Sequence, residues 1–239
     1  LSLAKNALNT ELNRALMNSD WVLNGTEVIK LNFSDLNAYI SKLADKAFSL
    51  SPKIRNELLN RSKPSGSAIA GQNSLLRAMI FNSHEERLGI KGYPVEAGLY
   101  DSIIKAAQIH RKINNNYAFV CPNEKNDPLR LFPLWRIAIE HLKGNANKLV
   151  SFDEIHKIWT GPAYGLKKGL LPILSTAFLL SQSSKIAIYR EEVFRHEFTD
   201  TDVTYLAKEP RSIQLRWVDF GKKSEILLKS YFEIASKLG

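Results

Sequence analysis

Cysteine is almost missing from this chain: Cys121 is the only one in 239 residues. A lone thiol excludes an internal disulfide and a cysteine-built zinc site. Long hydrophobic runs are missing too. The most apolar stretch, 170–180, falls short of the roughly 18–20 residues that a membrane span needs. The opening "LSLAKNALNTELNRAL" has the spacing of an amphipathic helix, not of a cleavable leader. Together these absences point to a cytoplasmic protein without membrane contact. The chain starts with Leu inside what reads as a running helix, which suggests a piece of a longer polypeptide.

Reaction signatures are also absent. The five histidines form neither H-E-x-x-H nor any zinc-like spacing. There is no G-x-S-x-G elbow and no G-x-G-x-x-G. Cys121 has no base nearby in sequence and lies between an apolar strand and Pro122, the setting of a buried thiol. The nearest approach to a nucleotide loop is "GPAYGLKKGLLPILSTAFLL", 161–180. A phosphate-cradling loop of the G-x-x-x-x-G-K-[ST] type would need its second glycine at 166, where Leu stands, and a hydroxyl where Lys168 stands. The reading is therefore a turn that enters a core helix, with no catalytic set and no cofactor in this segment. Glu191-Glu192 reads as a solvated hairpin tip.

What is present is a basic balance. The formal net charge is +9, spread along the chain without a long cationic run. Such a balance permits contact with nucleic-acid phosphates. Two places concentrate it. Lys167 and Lys168 lie near the start of a helix, where they oppose the helix dipole and a phosphate partner would offset them. Arg55, Arg61 and Lys63 fall in "SPKIRNELLNRSKPSGS", where a helix over 53–61 would put Glu57 and Arg61 on one face. These five residues are the expected nucleic-acid-binding set. An ordinary solvated face is the competing reading.

The pattern predicts helices over 1–18, 34–48, 53–61, 66–81, 94–112, 127–144, 151–159, 166–182, 200–208 and 222–238. Strands are predicted over 26–33, 116–122 and three segments between 185 and 220. "GNANK", 144–148, reads as a linker, giving a mainly helical domain 1–145 and a second domain 146–239. After the linker the order is helix, turn, helix, then strands, which is that of a winged helix. The expected fold is mainly α with a C-terminal α+β, winged-helix-like part.

Several segments in order resemble a known arrangement: "SPKIRNELLNRSKPSGSAIAGQNSLLRAMI", "ERLGIKGYPVEAGLYDSIIKAAQIH", "PLWRIAIEHL", "GPAYGLKKGLLPILSTAFLL" and "IAIYREEVFRHEF". They are similar to the region downstream of the ATPase core in large bacterial anti-phage defence ATPases of the BREX and phage-growth-limitation type. The matching positions are Asn56, Glu57, Asn60 and Arg61; Leu88, Gly89 and Ile90; Pro94 and Glu96; and Pro162, Tyr164, Gly165 and Leu166. The family's phosphate-binding loop and magnesium aspartate have no counterpart here, so any ATPase activity belongs to another part of the polypeptide. The resemblance implies a non-catalytic module that positions nucleic acid, DNA foremost, or other subunits of a defence complex. A structural or oligomerisation module without nucleic-acid contact is the alternative, and an enzyme with an unfamiliar site is the third reading.

Overall fold

The computed structural model describes residues 2–23, 25, 27–29, 32–60 and 64–218. The chain divides into two compact units, 1–49 and 50–239. In the first, helix α1 (Ser2–Met17) is followed by a hairpin of β1 (Trp21–Leu23) and β2 (Glu27–Ile29), then by α2 (Phe33–Ala47). The cap of α2 is Asn32, whose side chain accepts from the Asp35 amide. No side chain of α1 is buried, and Leu3, Leu8 and Met17 are exposed.

The second unit opens without the helix expected over 53–61. Residues 51–56 have no regular secondary structure and 57–59 form a turn. The reason is that the segment's backbone finds partners outside itself. The Lys53 amide donates to the Leu129 carbonyl, and the Leu50 amide to the Ala163 carbonyl. Buried Asn56 accepts from the Leu59 amide and donates to Ser102 Oγ, replacing a helical turn with side-chain bonds. The Glu57–Arg61 helical pairing loses its premise. Helix α3 (Gly66–Phe81) then starts at the Ser65 cap, as the serine predicts.

A 3₁₀ turn at Glu86–Gly89 holds Arg87 and Leu88 in the left-handed region, at φ 52° and 55°. Helix α4 (Val95–Leu99) runs directly into a π-helical turn, Tyr100–Lys105. The long helix expected over 94–112 stops there, since Gln108 is left-handed (φ 56°) and His110–Ile113 is strand β3. It pairs with β4 (Asn116–Phe119). Helix α5 (Phe132–Gly144) starts where the Asp127 carboxylate accepts from the Leu131 and Phe132 amides.

The elements that follow are β5 (Val150–Ser151), α6 (Phe152–Thr160), a 3₁₀ turn at Lys168–Leu170, α7 (Leu171–Ser181), β6 (Ile186–Arg190), β7 (Val193–Arg195), α8 (Asp200–Lys208) and β8 (Ile213–Trp217). Ser151 and Glu154 form a capping box at the start of α6, each side chain bonding the other's amide, as the Ser-x-x-Glu spacing implies. The last sheet has the order β5-β8-β6-β7, antiparallel throughout. The class is α+β. The final helix expected over 222–238 lies outside the described residues.

One core runs through the described residues of the second unit. Trp135 of α5, Trp159 of α6 and Phe178 of α7 form a ring cluster with centroids 5.8–6.0 Å apart. Both indoles are satisfied: Trp135 donates to Ser181 Oγ and Trp159 to the Leu134 carbonyl. The "GNANK" linker therefore joins elements that share a core. Helix α7 is covered on nearly every side, with eight of its residues from Leu171 to Leu179 buried.

Candidate nucleic-acid interface

Helix α6 ends at Thr160, and the chain turns through left-handed Ala163 (φ 73°) and Gly165 (φ 56°). The Gly165 amide returns to the Gly161 carbonyl and the Leu166 amide to the Trp159 carbonyl. Leu166 is buried, and this anchors the loop. Lys167 is then the cap of the 3₁₀ turn and Lys168 its first residue, so both stand just ahead of α7. No hydroxyl and no preceding strand accompany them.

This loop is stitched to two other segments. Gln72 of α3 donates to the Gly169 carbonyl over 2.7 Å. A Cβ on Gly169 would run into the Leu59 carbonyl, so only glycine permits the approach of the two backbones. With the Leu50–Ala163 bond, these contacts lay segment 50–60 alongside loop 161–170. Arg55, Lys167 and Lys168 thus stand on adjacent segments, all three exposed. Among the described residues no side chain pairs with any of them. Of the five expected residues, these three are exposed on two segments that touch at Leu50–Ala163 and Leu59–Gly169. Arg61 and Lys63 lie outside the described residues. Glu57 is exposed on the same segment, so the lip is basic but not uniformly so.

Two buried histidines and the cysteine are the remaining candidates for chemistry. His156 of α6 lies 2.7 Å from Ser175 Oγ of α7, between Phe152 and Trp159. Burial pushes its pKa down to about 4, so it is a neutral core residue. A Ser–His pair with both members buried offers no substrate access. Cys121 is expected as a buried thiol; the residue as a whole is exposed, while its sulfur is not. Its Sγ turns against Ser181 and Gln182, and burial of the thiol raises its pKa, the opposite of an activated nucleophile.

The second histidine belongs to a polar cluster that sequence reasoning missed. His110 Nε2 donates to the Ser83 carbonyl over 2.9 Å, which leaves Nδ1 as the acceptor for the Tyr100 hydroxyl at 3.0 Å. Burial lowers the His110 pKa, and burial together with Tyr117 and Asp101 raises that of Tyr100 to about 12. Ten residues separate the pair, and only the π-helical turn and the left-handed Gln108 bring them together. A helix continued through 112 would not meet Ser83 in this way, so no spacing rule exposes the pair.

No family model, curated protein or solved structure matches the chain. No helix among the described residues is long and apolar enough to cross a membrane. Among the same residues no group of three or more His, Cys, Asp or Glu is placed to hold a metal.

Proposed function

We propose that the chain is a non-catalytic positioning module of a large phage-defence ATPase, touching the nucleic-acid backbone through the basic lip at Arg55, Lys167 and Lys168. The observation that supports it is the stitching of segment 50–60 to loop 161–170, two adjoining segments that carry the exposed cations Arg55, Lys167 and Lys168. The order α5-β5-α6-α7-β6-β8, with β8 between β5 and β6, supports a winged-helix unit in which β7 and α8 form an enlarged wing. The third helix of such a unit, α7, is the one that helix-turn-helix proteins insert into the major groove. Its burial here favours backbone contact by the loop ahead of it over reading of base edges.

The same burial favours a second reading, a structural module without nucleic-acid contact. Salt dependence separates the two. Fluorescence anisotropy with a labelled duplex should show affinity falling steeply between about 50 and 200 mM salt. The double variant Lys167→Glu, Lys168→Glu should bind more weakly, with a salt slope flattened by about one for each phosphate it no longer neutralises. Absence of binding by the unaltered chain at the lowest salt would remove the nucleic-acid reading and leave the structural one.

A further inference from the structure

Away from the basic lip, a groove of about 600 Å³ runs between the C-terminal ends of α3 and α7 and the β6–β7 hairpin. Phe81, Leu180, Ile188, Phe194, Phe198 and Val218 give it an apolar lining. Phe81 and Phe194 stand 60% and 57% exposed, so the core of the second unit does not use their rings. A contiguous apolar surface of this kind, rimmed here by Arg195, His196 and Glu197, marks a place where something docks.

The chain itself leads into the groove. β8 ends at Trp217, and the Val218 amide donates to the Lys185 carbonyl over 2.9 Å, one bond past the β6–β8 ladder. Val218 is at once the last described residue and part of the lining. The sequence that follows has the period of one helix over 222–238. Leu227, Leu228, Tyr231, Phe232, Ile234 and Leu238 fall on one side of such a helix, at i, i+1, i+4, i+5, i+7 and i+11. Lys222, Glu225, Lys229 and Glu233 fall on the other. A helix with so wide an apolar face owes its stability to packing, so the face needs a cover. The four steps from Val218 to Lys222 span at most about 14 Å, so a helix over 222–238 must start beside the groove. A link this short also holds the segment at an effective concentration on the order of millimolar, which favours the groove of its own chain over that of a second copy.

We propose that this groove seats the chain's own segment 222–238, a helix whose Leu227–Leu238 face covers Phe81 and Phe194. Seated there, the segment closes the groove to other partners and braces the β6–β7 hairpin. The groove is separate from the basic lip, and its occupant does not depend on the function proposed for the lip. Hydrogen exchange of the full chain, read by mass spectrometry, tests this. Amides of 222–238 should exchange roughly tenfold or more slower than those of an unstructured chain. Phe194→Glu in the groove and Tyr231→Glu on the helix face should each abolish that protection, and Lys229→Glu on the polar face should keep it. Phe194→Glu alters no residue of the segment, so its effect there reports contact and not helix propensity. Phe81→Glu, at the end of α3, should act alike, and it decides the matter if Phe194→Glu loses a cooperative thermal transition. The protection should not change with protein concentration. Free exchange of 222–238 in the unaltered chain would leave the groove to another partner and overturn the proposal, as would unchanged protection in the groove variants. Protection that appears only as the chain dimerises in sedimentation would assign the groove to the segment of a second copy, and would overturn it too.

Discussion

Glu191 and Glu192 close the β6–β7 hairpin as a two-residue loop, both left-handed, at φ 50° and 67°. The hairpin demands this conformation, because a turn of that hand matches the twist of the two strands. Glutamate is a poor residue for it, since a Cβ in the left-handed region costs about 1–2 kcal/mol. The Glu191 amide donates to the Ser212 carbonyl and the Glu192 amide to Gln214 Oε1, so β8 holds the turn in place. Glu192→Gly is therefore expected to stabilise the protein by about 1 kcal/mol. A urea titration that finds it neutral or destabilising would count against strain at this tip. The hairpin tip itself is legible in the sequence, because two alternating segments flank the glutamates. Its strain is not, because residue preference points away from the conformation that the ladder imposes. At the neighbouring hairpin Asn114 takes the left-handed position (φ 56°), a residue suited to it.

Among the elements, the interface of α6 and α7 carries a pH dependence. His156 meets Ser175 across it and stays neutral, with its pKa depressed from 6.5 to about 4 by burial. The unfolded chain takes up the proton near pH 6.5 and the folded one only near 4. The contribution is thus complete above pH 6.5 and is lost as the pH falls toward 4. The loss amounts to roughly 3 kcal/mol across that window. Urea unfolding at pH 7 and pH 4 should show a smaller difference for His156→Gln than for the unaltered chain. An equal difference in both would place the titration elsewhere. Elements whose apolar period and caps agree are legible: α3 from Ser65 and α6 from Ser151 and Glu154; α5 is expected from Asp127 and starts only at Phe132, with Leu131 as its cap. Two others are not legible. The segment 53–61 has helical spacing, but Asn56 and the bonds to Leu129 and Ala163 supply partners that outcompete a helix. The helix predicted over 94–112 has apolar residues in phase as far as Ala107, and all of Leu99, Ile103 and Ala107 are buried. It fails beyond them because β3 finds β4. Of the lip proposed at Arg55, Lys167 and Lys168, the residue types are legible but the adjacency of their two segments is not. It depends on Gly169 against Leu59, an approach across more than a hundred residues that no local pattern records.

For the molecule as a whole, the core is a property of the second unit. The buried hydrophobic side chains run from Ile54 to Leu215, and none of those described comes from residues 1–49. The ring cluster of Trp135, Trp159 and Phe178, the ladder of β6 and β8, and the ion pair of Arg190 with wholly buried Asp202 (2.8 Å) all lie beyond Leu50. A unit of 190 residues exceeds the size at which a single core becomes marginal, roughly 60 residues. The helices of the first unit have another character: α1 buries nothing, and its apolar Leu3 and Leu8 stand in the open. A chain that begins at Leu50 is therefore expected to fold by itself. Its thermal transition, followed by circular dichroism, should stay cooperative, with a midpoint within about 4 °C of the full chain's, the shift that roughly 1 kcal/mol produces at this size. A broad, non-cooperative transition in the shortened chain would mean that the core needs residues 1–49, although none of their described side chains is buried in it.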